Sequence, residues 1–458
     1  TNNIKNDSFL SSDNANYVDQ MFTAWKKDPS SVHVSWNSYF SNLDKGLDHA
    51  NAYITPPTID NSFLKTQQDF PQQSTSGELE TSMKISMLIR AYQVNGFLKA
   101  NVDPLKMDIN NSTKVKELIS SLDHKYHGLT DEDLEKEFII YAKGMTGIFE
   151  SDKPRKLKDI IEHCKRAYTS TIGIEYMYIT SREECNWLRD RIENIWPFYK
   201  MSNEEKIKIF KRVAWSVMFE EYLKNRFTTI KRFGLEGLES LITGLKKYIH
   251  TSAELGTRDI TFGMAHRGRL NVLANVLRKP IPKIFAEFQG KHSKSQFDIS
   301  GDVKYHLGMH YERTYNDGKK VQMDVLPNPS HLECVDPVVM GTTRAKQHFS
   351  NDDERIENRA ILIHGDAAFT GQGIVYETIE MTNLQCFTTG GIFHVVANNQ
   401  LGFTTDPIDS RSTAFCTDIG KVVEAPILHV NADDPIAIDF AFKTAAEFMH
   451  KFKKDFVI

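Results

Sequence analysis

The chain has 458 residues, 40% of them hydrophobic and 25% charged, with a formal net charge of −4. That length accommodates two or more folding units around a large core, and the weak negative charge argues against general nucleic-acid binding. No apolar run approaches the ~18 residues of a bilayer span, and five scattered cysteines without a Cys-x-x-Cys fit reduced thiols in a reducing compartment.

The chain opens on Thr1, with no cleavable targeting segment expected to remain. Tyr17, Val18, Met21, Phe22 and Trp25 recur at helical spacing, and Asp28-Pro29-Ser30 stops that helix. Aromatics continue from Val32 to Phe40, a stripe that suits a docking or core face. From Ala50 to Gly77 the chain is rich in Pro, Gln, Ser and Thr and reads as a flexible linker. From Leu79 to about Tyr199 the pattern is mainly helical. Met83, Met87 and Leu88 give one stripe, Val115, Leu118, Ile119 and Leu122 a fuller one, and Thr130-Asp131-Glu132-Asp133 a capped start. The basic run Lys153–Lys158, flanked by Asp152 and Asp159, reads as a solvated face. From Asn203 the texture becomes α/β. Strands are expected at 260–264, 321–326, 361–364, 392–397 and 427–430, mostly separated by helical stretches. That alternation predicts a parallel sheet flanked by helices. The expected organisation is an N-terminal docking segment and linker (1–78), a helical domain (79–202) and an α/β domain (203–458).

The most informative pair in the α/β region is Gly365-Asp366 and Asn398-Asn399. Each follows a strand pattern, and the helical stretch Ile374–Met381 lies between. A right-handed strand-helix-strand crossover brings both strand ends to one edge of a parallel sheet, where ligands of open α/β sheets sit. Asp366, the amide oxygen of Asn399 and the backbone carbonyl of Leu401 then offer three oxygens to Mg²⁺, and the adjacent helix start offers N–H groups to a phosphate. Alone, a Gly-Asp is a turn and an Asn-Asn a loop; the spacing is what points to a site. His266 and Arg267 follow the strand at 260–264 and reach the same edge.

His364–Gly373 and Asn398–Thr405 resemble the thiamine diphosphate motif of the first component of 2-oxoglutarate dehydrogenase. Gly263–Leu273, Asp302–Gly308, Asn328–Glu333 and Ala425–Pro435 are similar to further blocks of that family, in the same order. The resemblance implies a diphosphate-type, thiamine diphosphate-binding α/β fold, with Mg²⁺ held by Asp366, Asn399 and Leu401. It implies that Arg267 meets the cofactor phosphate, that Ser330 and Leu332 touch the cofactor, and that the small Ala367 and Ala368 let backbone approach it. It implies that His266 and His306 face the substrate and that His429 is a further active-site histidine. His364 and His394 lie inside strand patterns and read as satisfied core histidines.

The activity implied is oxidative decarboxylation of 2-oxoglutarate in the tricarboxylic acid cycle, with succinyl transfer to a lipoyl group. The implied partners are the lipoyl-bearing succinyltransferase and dihydrolipoamide dehydrogenase, in the mitochondrial matrix, with the protein a homo-oligomer or paired with a chain carrying the pyrimidine-binding half. A 2-oxoadipate-type substrate and a non-catalytic scaffold role are the alternatives. The chain departs from the family where Asn95-Gly96-Phe97-Leu98 stands for the usual Arg-Gly-His-His, so roles of those histidines do not carry over, and at Leu401, where Ile is common and the backbone carbonyl is what matters. The pyrimidine-binding half is expected either on a second chain or in the remainder of a longer chain of which this sequence is a fragment.

Overall fold

The computed structural model describes residues 15–32, 34–46, 76–107, 112–140, 145–150, 153–289, 306–328 and 331–458. The chain divides into two compact units, Thr1–Leu79 and Glu80–Ile458. In the first, the expected helix runs Ala15–Lys27, and Pro29, unable to continue it, opens a short 3-10 turn. The aromatic stretch after it forms a second helix, Val34–Asp44. Trp25, Tyr39 and Phe40 are buried together, and Trp25 Nε1 donates to Asn37 Oδ1 at 2.7 Å. Most of the expected linker lies outside the described residues, and its last residues belong to the helix Ser76–Asn95.

The second unit is built on one eight-stranded sheet. We number its strands β1 (Ile172–Glu175), β2 (Asp259–Met264), β3 (Met309–Thr314), β4 (Lys320–Val325), β5 (Asn358–Gly365), β6 (Ile392–Ala397), β7 (Ile427–Val430) and β8 (Phe456–Val457). Their spatial order is β1-β7-β8-β6-β5-β2-β4-β3. The inner six are parallel, and β1 and β3 close the two edges antiparallel. The two edge strands were not among those expected. β1 falls in the stretch read as helical, and four residues are too few to show a period; its pairing is with β7, far along the chain.

Central parallel strands are apolar on both faces because both are covered. Ile361, Ile363, Phe393 and Val395 face the main core, where Tyr248 of the helix Leu241–Glu254 stacks on Phe393 at 4.4 Å. Ala360, Leu362 and Ile392 face the opposite way, onto Val335, Val339 and Met340 of the helix Val335–Phe349. The main core continues into residues 85–192 without a break. In the helix Ser76–Asn95 the buried stripe is Ile85, Leu88, Ile89 and Tyr92, whereas Met83 and Met87 are exposed. The methionine spacing is helical, but the core lies on the neighbouring face. No helix among the described residues is long and apolar enough to cross a membrane.

Candidate active site

The chain builds β2, crosses to β4 on one side, then returns to place β5 on the other side of β2. This reversal makes the carboxyl ends of β2 and β5 a topological switch point, the usual place for a ligand crevice. Gly365 and Ala397 are direct ladder partners at the ends of β5 and β6. Asp366 follows the first by one residue and Asn399 follows the second by two. A Cβ built on Gly402 would sit 3.3 Å from the Ala367 side chain, so the two loops pack against each other.

Asp366 begins a short helix, Asp366–Gly371, and is 3% exposed. Its Oδ1 is buried without a hydrogen-bond partner among the described residues. Burial raises its pKa, against the opposing pull of nearby backbone N–H groups, Arg411 and Arg267. Asn399 Oδ1 accepts from the Leu401 N–H at 3.3 Å, while its Nδ2 is buried and unpartnered. Leu401 itself is 55% exposed, which leaves its backbone, not its side chain, as the useful group. Arg411, absent from the sequence expectations, has Nε and Nη1 buried without partners. Its only signal in sequence was position, a few residues beyond the Asn-Asn loop.

Beyond β2, Gly268 turns the chain at φ 71°, where any Cβ would clash with Leu235 at 2.3 Å. His266 packs on Phe233 at 4.1 Å between centroids. Burial lowers its pKa, helped by Arg267 and His306, so the imidazole is neutral at pH 7. The same coupling brings His266 and His306 into one neighbourhood. The Arg267 guanidinium is held by Glu236 and by the Gly234 carbonyl at 3.0 Å, and its charge reaches Asp366.

The fully buried Arg269 was missed in the sequence. Its Nη1 donates to the Met264 carbonyl at 2.9 Å, and its Nη2 to the Leu307 carbonyl at 3.0 Å and the Leu326 carbonyl at 2.5 Å. One side chain thus ties the ends of β2 and β4 to the loop carrying His306.

His429 lies within β7, at a distance from this cluster set by the intervening β8 and β6. It clusters with Phe97 and Phe415, which also touch each other, and is bonded to Glu175 at 2.8 Å, and Lys421 pairs with the same Glu175 at 2.6 Å. Phe97, in the stretch expected to depart from the family pattern, packs its ring on both Phe415 and His429. A cavity of about 740 Å³ opens beside it, lined by Arg411, Phe415 and Lys421. Leu332 is partly exposed at the end of its loop, and Ser330 lies outside the described residues.

His364 and His394 are buried in a chain of their own. His364 Nδ1 lies 2.7 Å from Glu333 Oε2, and its Nε2 lies 3.1 Å from His394 Nδ1. Burial disfavours protonated His364, but Glu333 and Asp336 outweigh it and raise its pKa. Burial, helped by Glu333, pushes the pKa of Asp336 up to about 8. Glu333 Oε1, Asp336 Oδ2 and His394 Nε2 remain buried without hydrogen-bond partners among the described residues.

These residues fit a divalent cation and a diphosphate. A buried carboxylate oxygen without a partner is costly unless something positive completes it. A carboxylate, an amide and a backbone carbonyl are the oxygen donors Mg²⁺ takes. Open space around Gly365, Gly371 and Gly373, where an added Cβ would meet nothing within 4 Å, leaves room for phosphate oxygens. Arg267 and Arg411 supply positive charge nearby.

Comparison with known proteins agrees with this architecture. Residues 211–458 match the family model described as dehydrogenase E1 component, and residues 7–47 match 2-oxoglutarate dehydrogenase N-terminus. The chain is 46% identical to the mitochondrial 2-oxoglutarate dehydrogenase of Saccharomyces cerevisiae over 99% of its own length and 45% of that protein's. It is 42% identical to the Dictyostelium discoideum enzyme of the same name, over 98% of this chain and 44% of that one. It is 41% identical to the Caenorhabditis elegans protein of that name, again covering 45% of the longer chain. The chain thus spans less than half the length of these relatives, yet aligns along nearly all of its own, and it belongs to the dehydrogenase E1 component family.

Proposed function

We propose that this chain provides the diphosphate half of a thiamine diphosphate site and takes part in the Mg²⁺-dependent oxidative decarboxylation of 2-oxoglutarate. The succinyl unit then passes to a lipoyl group on a succinyltransferase partner, with dihydrolipoamide dehydrogenase completing the complex. The observation that carries this reading is the buried, unpartnered Asp366 oxygen at the switch point, beside Asn399. Its placement suits a cation that a diphosphate would share. The names of the relatives support the substrate and a mitochondrial location, which we place in the matrix as part of the tricarboxylic acid cycle.

When bound, thiamine diphosphate supplies the carbanion and the electron sink that decarboxylation of a 2-oxo acid requires. The protein holds and orients. Asp366, Asn399 and the Leu401 carbonyl would hold Mg²⁺. Arg267 would neutralise phosphate charge, Ala367 and Ala368 would give the backbone close approach, and Ser330 and Leu332 would line the cofactor. Neutral His266 can donate a hydrogen bond to an anionic 2-oxo acid or exchange a proton with it, with His306 alongside. His429, locked by Glu175, would act from the flank. The aminopyrimidine end would be completed by a pyrimidine-binding half. The aromatic helices of residues 15–44 would dock the enzyme to its partner components.

Calorimetry of the chain with thiamine diphosphate, with and without Mg²⁺, tests the cation assignment. Binding should require Mg²⁺ and should weaken about 100-fold or more in Asp366→Asn, which keeps the side chain's shape but removes its charge. Undiminished binding to Asp366→Asn would refute the assignment. Absence of 2-oxoglutarate turnover after reconstitution with the pyrimidine-binding half and both partners would refute the substrate.

A further inference from the structure

At the other edge of the sheet, the turn between β3 and β4 faces the helices Asn203–Arg226 and Leu241–Glu254. A cavity of about 520 Å³ lies between them. Lys246, on the second helix, points into this region and is 7% exposed. Arg212, from the first helix, and Arg313, from β3, line the same cavity, and the charge of Arg278 reaches Lys246 as well. Lys246, Arg212 and Arg313 make no side-chain hydrogen bond or ion pair with any other described residue.

The acids on the cavity wall have partners of their own, and only the charge of Asp439 also reaches Arg212. Asp439 pairs with Lys247 at 3.0 Å and accepts from Tyr199, Glu254 faces His250 at 3.5 Å, Asp317 pairs with Lys319 at 3.3 Å, and Glu205 caps Ser202. Tyr315 stacks on His250, lies under Arg313, and keeps its hydroxyl buried without a partner. Burial and the three arginines push Lys246 down to about 7. A packed interior does not ordinarily gather like charges in this way. A buried cation is normally paired, because the desolvation cost is large.

We propose that this cavity is a second ligand site, specific for a small, multiply charged oxyanion of the phosphate class. Lys246, Arg212 and Arg313 on one cavity wall match a phosphoryl or diphosphoryl group, which presents several acceptor oxygens, better than a single carboxylate. The Tyr315 hydroxyl adds a neutral donor. The size and concavity are those of a small-molecule pocket, not of a flat docking surface for an acidic protein segment. The site sits at the amino-terminal end of β4, opposite the Asp366 edge, so it is separate from the candidate active site.

The test is calorimetry of the chain with inorganic pyrophosphate in EDTA, which removes the divalent cation that the Asp366 site would need. Pyrophosphate should bind, and Lys246→Met and Arg313→Gln should each weaken it by about tenfold or more. Asp366→Asn should leave it unchanged. Arg313 lies on an edge strand, so its variant remains informative if Lys246→Met does not fold. Absence of binding, or binding lost in Asp366→Asn but kept in Lys246→Met and Arg313→Gln, would overturn the proposal. Binding of poly-glutamate without binding of pyrophosphate would overturn it in favour of an acidic protein segment.

Discussion

The two ends of one sheet hold opposite problems. At the carboxyl edge Asp366 keeps a buried oxygen without a hydrogen-bond partner among the described residues; at the amino edge Lys246 is crowded by three arginines. Between them, the His364 cluster sets acids and imidazoles of opposite charge side by side. There acid and imidazole are 2.7 Å apart, although Glu333 Oε1 and Asp336 Oδ2 still lack hydrogen-bond partners among the described residues. The contrast teaches that burial of charge is not itself the mark of a site. At the two ends the buried charge has no neighbour of opposite sign as near as Glu333 is to His364, which suits the cation proposed beside Asp366 and the polyanion proposed beside Lys246.

The strongest way to break this contrast is through Arg269, a buried charge that is completed by backbone carbonyls. Arg269→Met leaves those carbonyls unpaired and should cost about 3–5 kcal/mol in denaturant unfolding. A loss within 1 kcal/mol, on the order of an ordinary surface change, would mean that partnered and unpartnered buried charges are not different here.

Lys246 should behave in the opposite way. Its folded pKa near 7 lies below the ordinary 10.5, so the unfolded chain holds more protons between those values and stability rises with pH across that window. In phosphate-free buffer Lys246→Met should therefore raise Tm, by roughly 5 °C at pH 7 and by progressively less toward pH 10. A Tm lowered at pH 7 would show that the ammonium has a partner.

The smallest effect is expected at Leu401. Only its carbonyl is proposed to meet the metal, and its side chain is largely exposed, so Leu401→Ala should leave Mg²⁺-dependent cofactor affinity within about twofold. A larger loss would bring the side chain into the site.

The strands that carry the site were legible in the sequence because each is a β-branched or apolar run followed at once by a Gly-Asp, an Asn-Asn or a His-Arg. The edge strands were not. β1 is short, and its partner is β7, so nothing local distinguishes it from the helices around it. Met83 and Met87 had the right period but the wrong face; of that expected stripe Leu88 is buried, and only tertiary packing selects Ile85, Ile89 and Tyr92 beside it. Arg267 and Arg269 look equivalent in the chain, yet one meets Glu236 and the other is sealed among carbonyls. Lys246 and Lys247 are adjacent, and only the fold shows that one reaches Asp439 while the other reaches no acid.

The ladder pairing of Gly365 with Ala397 has a consequence for how this protein tolerates change. Because the two loops are fixed by strand register, the crossover between β5 and β6 is free to lengthen or shorten at its surface turn without moving Asp366 relative to Asn399. An insertion of one residue inside either strand has no such freedom: it reverses the inward and outward side chains and shifts one ligand past the other. Length variation among proteins built this way should therefore gather in the exposed part of the crossover, residues 383–387, and be excluded from the six residues that precede each loop, which makes insertion scanning a direct map of which backbone the site depends on.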